Sequence, residues 1–149
     1  MKTNGHMKRF DFWTRWLVVL AWAIVAFGLL FAFFNQTAPF DWLFNHRVNR
    51  LFFAEGIPQA DARAFQRWAY GVLGAVLAGW AVSMAFVAQY GLRTKARWTW
   101  RCYAFGVGLW FLVDTAISLY FGMLLNAVFN TVLLVLVAVP LAAIRKHFH

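Results

Sequence analysis

Four apolar runs dominate the chain, separated by short polar or basic segments. The first is unbroken from Leu17 to Phe34 and the second goes from Trp68 to about Tyr90. The third goes from about Arg101 to Phe121, and the fourth from about Leu124 to Ile144. Each approaches the roughly 20 residues that a helix needs to cross a hydrocarbon core about 30 Å thick. The pattern predicts an all-α integral membrane protein. Its single domain over residues 1–149 would be a four-helix bundle, with helices at about 13–34, 68–90, 101–121 and 124–144. The first run is long for the apolar part of a secretory leader, and Gln36-Thr37-Ala38 lacks the small residue three positions before a cut, so it reads as a retained helix. Pro140 falls in the last turn of the fourth span, where a missing backbone bond is tolerated near the interface.

One connection is sizeable, residues 35–67. Within it, Asp41 to Phe53 mixes aromatic and polar residues at near-helical spacing, which predicts a helix lying in the membrane interface with its aromatic side down. Gly56-Ile57-Pro58 ends that helix, and Gln59 onward starts another that runs into the second span. Two roles fit this loop: a lid over an outward-opening cavity, or plain interfacial packing. Asn35-Gln36-Thr37 matches a glycosylation sequon but abuts the membrane.

Composition narrows the class. Of 149 residues, 63% are hydrophobic and 13% charged, against roughly 25% charged in a soluble domain. A soluble globular enzyme, a disordered chain and a large extramembrane domain are excluded. The charge is lopsided, with 14 Lys and Arg against 5 Asp and Glu, and its placement orients the chain. Lys2, Lys8, Arg9 and Arg15 precede span one, Arg93, Lys95, Arg97 and Arg101 separate spans two and three, and Arg145 and Lys146 follow span four. The other side carries Arg47, Arg50, Arg63 and Arg67, offset by Asp41, Glu55 and Asp61. Cytoplasmic loops collect Lys and Arg, so both termini are expected to be cytoplasmic. Trp13, Trp16, Trp98 and Trp100 then mark the inner interface, and Trp42 and Trp68 the outer one. A multi-pass protein of a bacterial inner membrane is the expected setting. Anionic lipid headgroups at the cytoplasmic face are a sufficient partner for the basic residues. Nucleic acid is excluded, because no soluble module offers a basic face.

Counting also bounds the chemistry. One cysteine, Cys102, permits neither an internal disulfide nor a CxxC pair. His6, His46, His147 and His149 all lie outside the apolar runs, so no metal or other cofactor is expected in the bundle.

The costly residue is Asp114, about three residues or ~4.5 Å outward of the midplane of the third span. An acid there costs on the order of 3 kcal/mol, so it should face the bundle and have partners. Ser118 lies one turn outward on the same helix face, and on span four Asn126 and Asn130 again share a face. The connection around Gly122 makes spans three and four an antiparallel hairpin, in which residues equidistant from the turn lie at equal depth. Asp114 and Asn130 each stand eight residues from Gly122, and Ser118 and Asn126 four. Asp114 is therefore expected opposite Asn130 and Ser118 opposite Asn126, with Thr115 flanking the stripe. Carboxamides can satisfy the acid in either protonation state. Arg67, at the head of span two, is the nearest cation that could reach in. Trp110, one turn inward of Asp114, and Tyr70 complete the expected ligand-binding set. This arrangement is either a polar zipper within one hairpin or a zipper that also lines a site.

On span two, Gly71, Ala75, Gly79 and Ser83 repeat at every fourth position and predict a smooth packing ridge, broadened by Gly74 and Ala78. Internal packing or a homodimer seam would use it. Three functions fit these features. A small integral membrane binding or accessory protein, holding a lipophilic molecule or docking on a larger membrane complex, needs only the ridge, the aromatics and the polar hairpin, and is the favoured reading. An intramembrane enzyme, isomerase-like or acting on a lipid or isoprenoid, would use Asp114 as acid or base. It lacks a second catalytic group unless His46 or Glu55 folds in. A proton-coupled small transporter is disfavoured, because there are no broken helices and no internal repeat.

Overall fold

The computed structural model describes residues 3–53 and 59–148, with side chains from residue 7 onward. Among the described residues every regular element is helical: α1 (Thr3–Phe34), α2 (Ala38–Phe40), α3 (His46–Phe52), α4 (Ala60–Phe86), α5 (Arg97–Tyr120) and α6 (Leu124–Ile144). A π-helical turn, Asp41–Asn45, joins α2 to α3, and α4 continues through a π turn, Val87–Gly91, and a 3-10 turn, Leu92–Thr94. Four stretches are long and apolar enough to cross a membrane: Met7–Phe34, Ala60–Thr94, Arg97–Tyr120 and Leu124–His147. They are compatible with a membrane helical bundle.

The helices overrun the apolar runs. The first begins at Thr3 and not near residue 13, α4 begins at Ala60 as the helix expected from Gln59 onward and runs into the second span, and α5 begins at Arg97 and not at 101. Leaving the hydrocarbon does not end α4, whose residues 60–67 are rich in Ala, Arg and Gln, all good helix formers. Asp61 in the first turn of α4 also suits the positive end of the helix dipole. Between α1 and α4, Pro39 opens α2 at a position where its absent N–H has no helical partner to lose.

Each long helix buries one narrow stripe. On α5 it runs Thr99, Tyr103, Val107 and Ser118, and on α6 Ala127, Asn130, Val137, Leu141 and Ile144. The opposite faces expose large apolar side chains such as Phe105, Leu109, Leu112, Val132 and Val135. A soluble protein rarely leaves contiguous apolar surface of this kind; acyl chains tolerate it.

The chain divides into two compact units, residues 1–22 with 83–149, and residues 23–82. In the first, α5 ends in a Schellman turn. Met123 N–H donates to the Ser118 carbonyl at 2.7 Å and Gly122 N–H to that of Leu119 at 3.1 Å. Gly122 takes φ 73°, the left-handed conformation that this motif needs and glycine adopts without strain. Two tryptophans tie down α6. Pro140 has no N–H to give the Leu136 carbonyl one turn back, and the Trp16 indole N–H takes its place at 3.1 Å. Where α6 tightens at its end, Arg145 N–H bonds Ala142, and Trp100 donates to the Leu141 carbonyl at 2.9 Å.

The second unit is built on backbone proximity. A methyl group on Gly74 would lie 2.5 Å from the Gly28 carbonyl oxygen and 2.5 Å from the Ala32 nitrogen, and one on Gly28 would lie 2.8 Å from the Ala78 nitrogen. Within one chain, only part of the ridge expected on span two meets another helix. Gly74 and Ala78 make the close contact, and Gly71 only skirts it, with 3.6 Å to the Ala32 carbonyl. Ala75, Gly79 and Ser83 are exposed, and a methyl on Gly79 would meet nothing within 4 Å. Every fourth position drifts about 40° around a helix of 3.6 residues per turn, so a four-residue repeat does not stay on one face. Beyond the contact, Phe31 gathers Tyr70 (ring centroids 5.0 Å), Phe40 (5.7 Å) and Phe44 (6.1 Å).

Candidate functional site

The hairpin of α5 and α6 brings Asp114, Thr115, Ser118, Asn126 and Asn130 together. Asp114 Oδ1 accepts from Asn126 Nδ2 at 2.7 Å and from Asn130 Nδ2 at 3.0 Å. The Ser118 hydroxyl lies 2.7 Å from the Asp114 carbonyl oxygen and 3.1 Å from Oδ1, and has one hydrogen to share between them. Asn126 gives its second amide hydrogen to Ser118 Oγ at 2.7 Å, and Asn130 gives its second to Thr115 Oγ1 at 3.2 Å. All four carboxamide hydrogens are thus committed inside the cluster. Asn130 and Ser118 are buried, while Asp114, Thr115 and Asn126 are half-buried.

Both expected pairings occur, Asp114 with Asn130 and Ser118 with Asn126. The structure adds a diagonal, Asn126 to Asp114, because an asparagine two bonds from the backbone can lean one turn along its neighbour. The carboxyl is asymmetric. Among the described residues no donor meets Oδ2, and this atom is not sealed from its surroundings. Asp114 makes no ion pair among the described residues. The cluster can hold one further donor, and it can fix the hairpin.

Of the remaining expected site residues, Trp110 shares α5 with Asp114 and the others fall elsewhere. Trp110 is half-buried one turn along α5 from Asp114. Tyr70 belongs to the second unit, where it packs on Phe31 and its hydroxyl accepts from Gln66 at 3.3 Å. Arg67 also belongs there, its backbone carbonyl accepting from Asn35 at 3.4 Å. His46 is exposed, and Glu55 lies outside the described residues. Among those residues no three of His, Cys, Asp and Glu gather as a metal site would require.

A second polar cluster is one that the sequence reading does not anticipate. Asn45, 3% exposed, donates to the Asn35 carbonyl at 2.8 Å and to Asp41 Oδ1 at 2.6 Å. Gln36 donates to Asn35 Oδ1 at 3.3 Å, and Gln66 to Asn49 Oδ1 at 3.0 Å. Asn45 Oδ1 is buried without a partner, which costs about 1–3 kcal/mol for a neutral polar group. Its signal in the sequence is three polar residues at four-residue spacing, Asp41, Asn45 and Asn49.

Comparison with known proteins identifies no relative: no family model, no curated protein and no solved structure matches the chain.

Proposed function

We propose that this chain is a small multi-pass membrane protein of the binding or accessory kind. Its hairpin cluster would take one hydrogen-bond donor, from a lipophilic ligand or from a helix of a partner membrane subunit, at Asp114 Oδ2. The observation that carries this reading is the asymmetry of the carboxyl, with donors converging on Oδ1 and none on Oδ2. A carboxyl oriented by its own helix pair presents one acceptor without further ordering, which favours binding. An interhelical hydrogen bond of this sort contributes about 0.6 kcal/mol and up to ~2. A catalytic role has weaker support, since Asp114 has no second acid–base group among its hydrogen-bond partners.

The charge asymmetry supports a cytoplasmic location for both termini and contact of the basic segments with anionic headgroups on that side. Trp42, Leu51 and Phe52 are exposed on the 38–52 helix, which supports its lying in the opposite interface.

The test is native mass spectrometry of the purified protein and of Asp114→Asn, reporting bound small molecules and stoichiometry together. Asparagine can keep an acceptor toward the cluster while turning an NH2 to the open side, where it repels a donor. The variant is expected to fold and to lose the bound species. Retention of the same species at the same occupancy overturns the reading.

A further inference from the structure

Within the second unit, an open groove of about 920 Å³ lies between the last turn of α1 and the first turns of α4. Its volume is in the range of roughly 300–1,000 Å³ typical of ligand pockets. Arg63, Arg67 and Gln36 line it together with Phe33, Trp68 and Val72. Both arginines are exposed and neither forms an ion pair among the described residues. Asp61 is two positions from Arg63 and so faces another side of the helix.

Two like charges four residues apart repel mildly unless an anion bridges them. Guanidinium groups at this spacing present two planar forks, which match the oxygens of a phosphate. The lining is also graded. Arg63 stands at one end and Val72 nine residues further along α4, a rise of about 13.5 Å at 1.5 Å per residue. The arginines precede the second apolar run, whereas Trp68 and Val72 lie within it. Phe33 and Trp68 leave large apolar surfaces exposed at the rim. A charged head and an apolar body are thus accommodated in the same groove, in the order in which an amphiphile carries them.

We propose that this groove binds an acidic phospholipid, its phosphate between Arg63 and Arg67 and its acyl chains along Phe33, Trp68 and Val72. The site shares no residue with the Asp114 cluster and stands whether or not that cluster binds anything. It also differs from the basic surface near the termini, where headgroup contact needs no groove. Arg63 and Arg67 supply the preference for charge, and the aromatic wall supplies the requirement for chains.

The experiment titrates detergent-solubilised full-length protein with phosphatidylglycerol or phosphatidylcholine and counts bound lipid by native mass spectrometry. Wild type is expected to hold one phosphatidylglycerol more tightly than phosphatidylcholine by about tenfold or more, the factor given by roughly 1.4 kcal/mol. The pair Arg63→Gln with Arg67→Gln is expected to remove that one molecule from the count. The pair Arg63→Lys with Arg67→Lys keeps the charge without the fork and is expected to hold it with reduced preference. This second pair decides the matter if the glutamine pair does not fold. An unchanged phosphatidylglycerol count in the glutamine pair, or equal binding of the two lipids by wild type, overturns the proposal. So does displacement of the lipid by millimolar inorganic phosphate alone, which would make the site one for a free anion.

Discussion

The two units hold their helices together by different means. In lipid there is no hydrophobic drive between helices, so association rests on close packing and on hydrogen bonds. The unit formed by residues 1–22 and 83–149 relies on hydrogen bonds: the Asp114 cluster between α5 and α6, and the indoles of Trp16 and Trp100 on α6 carbonyls. The unit of residues 23–82 relies on contact, with Gly28 and Gly74 letting two backbones meet. Its amide cluster around Asn45 ties the 38–52 segment to the end of α1 and, through Gln66, to α4, but leaves one acceptor unmet. The difference lies in tolerance: a hydrogen bond lost weakens a helix pair, whereas a methyl added where backbones touch has nowhere to go.

The sharpest way to break this comparison is at glycine. Gly74→Ala should cost about 3 kcal/mol or more, the upper range of overpacking, because the obstacles are backbone atoms of Gly28 and Ala32. Gly79→Ala should be within about 0.5 kcal/mol of wild type, as surface substitutions are, since its side is open. Reversible unfolding in mixed detergent measures both. Equal effects would mean that α1 and α4 do not meet there.

Next in size is the hairpin. Asn130→Ala should cost about 2 kcal/mol, the upper end for an interhelical bond, because it removes two donors from a buried position. Asn45→Ala in the other unit should cost less, about 1 kcal/mol, since deleting it also removes an unsatisfied buried oxygen. Reversal of that order, in the same unfolding assay, would contradict the account of the two clusters.

The smallest effect sharpens the role of tryptophan. Trp16→Phe should cost about 1 kcal/mol, the net value of one hydrogen bond. In a Pro140→Ala background the cost should shrink, because the substituted alanine brings an N–H for the Leu136 carbonyl. A double-mutant cycle reads the coupling, and full additivity would show that the indole does not stand in for the missing bond.

These regions also differ in how readily their sequence discloses them. The Asp114 cluster is legible because a tight turn fixes the register of an antiparallel hairpin, so two i,i+4 pairs, Asp114 with Ser118 and Asn126 with Asn130, can be set against each other by counting from Gly122. The four apolar spans are legible for a similar reason, since hydrocarbon thickness sets their length. The Asn45 cluster has the same four-residue spacing, but the sequence around it offers no single pivot from which its depth against Asn35 or Gln66 can be counted. The packing face of α4 lies one residue away from the stripe that the sequence suggests. A repeat of small side chains is visible, but which of its two adjacent stripes meets α1 depends on the helix rotation, and it is the broadening stripe of Gly74 and Ala78 that does so.

The most direct test of the hairpin cluster is the side-chain amide signals of Asn126 and Asn130 in protein labelled with nitrogen-15 on asparagine, compared between wild type and Asp114→Ala. Both NH2 pairs should be shifted and slow to exchange in wild type, and both should move when the carboxyl is removed, because each gives a hydrogen to Asp114 Oδ1. Signals at ordinary, freely exchanging positions in wild type, unmoved by the substitution, would contradict the account.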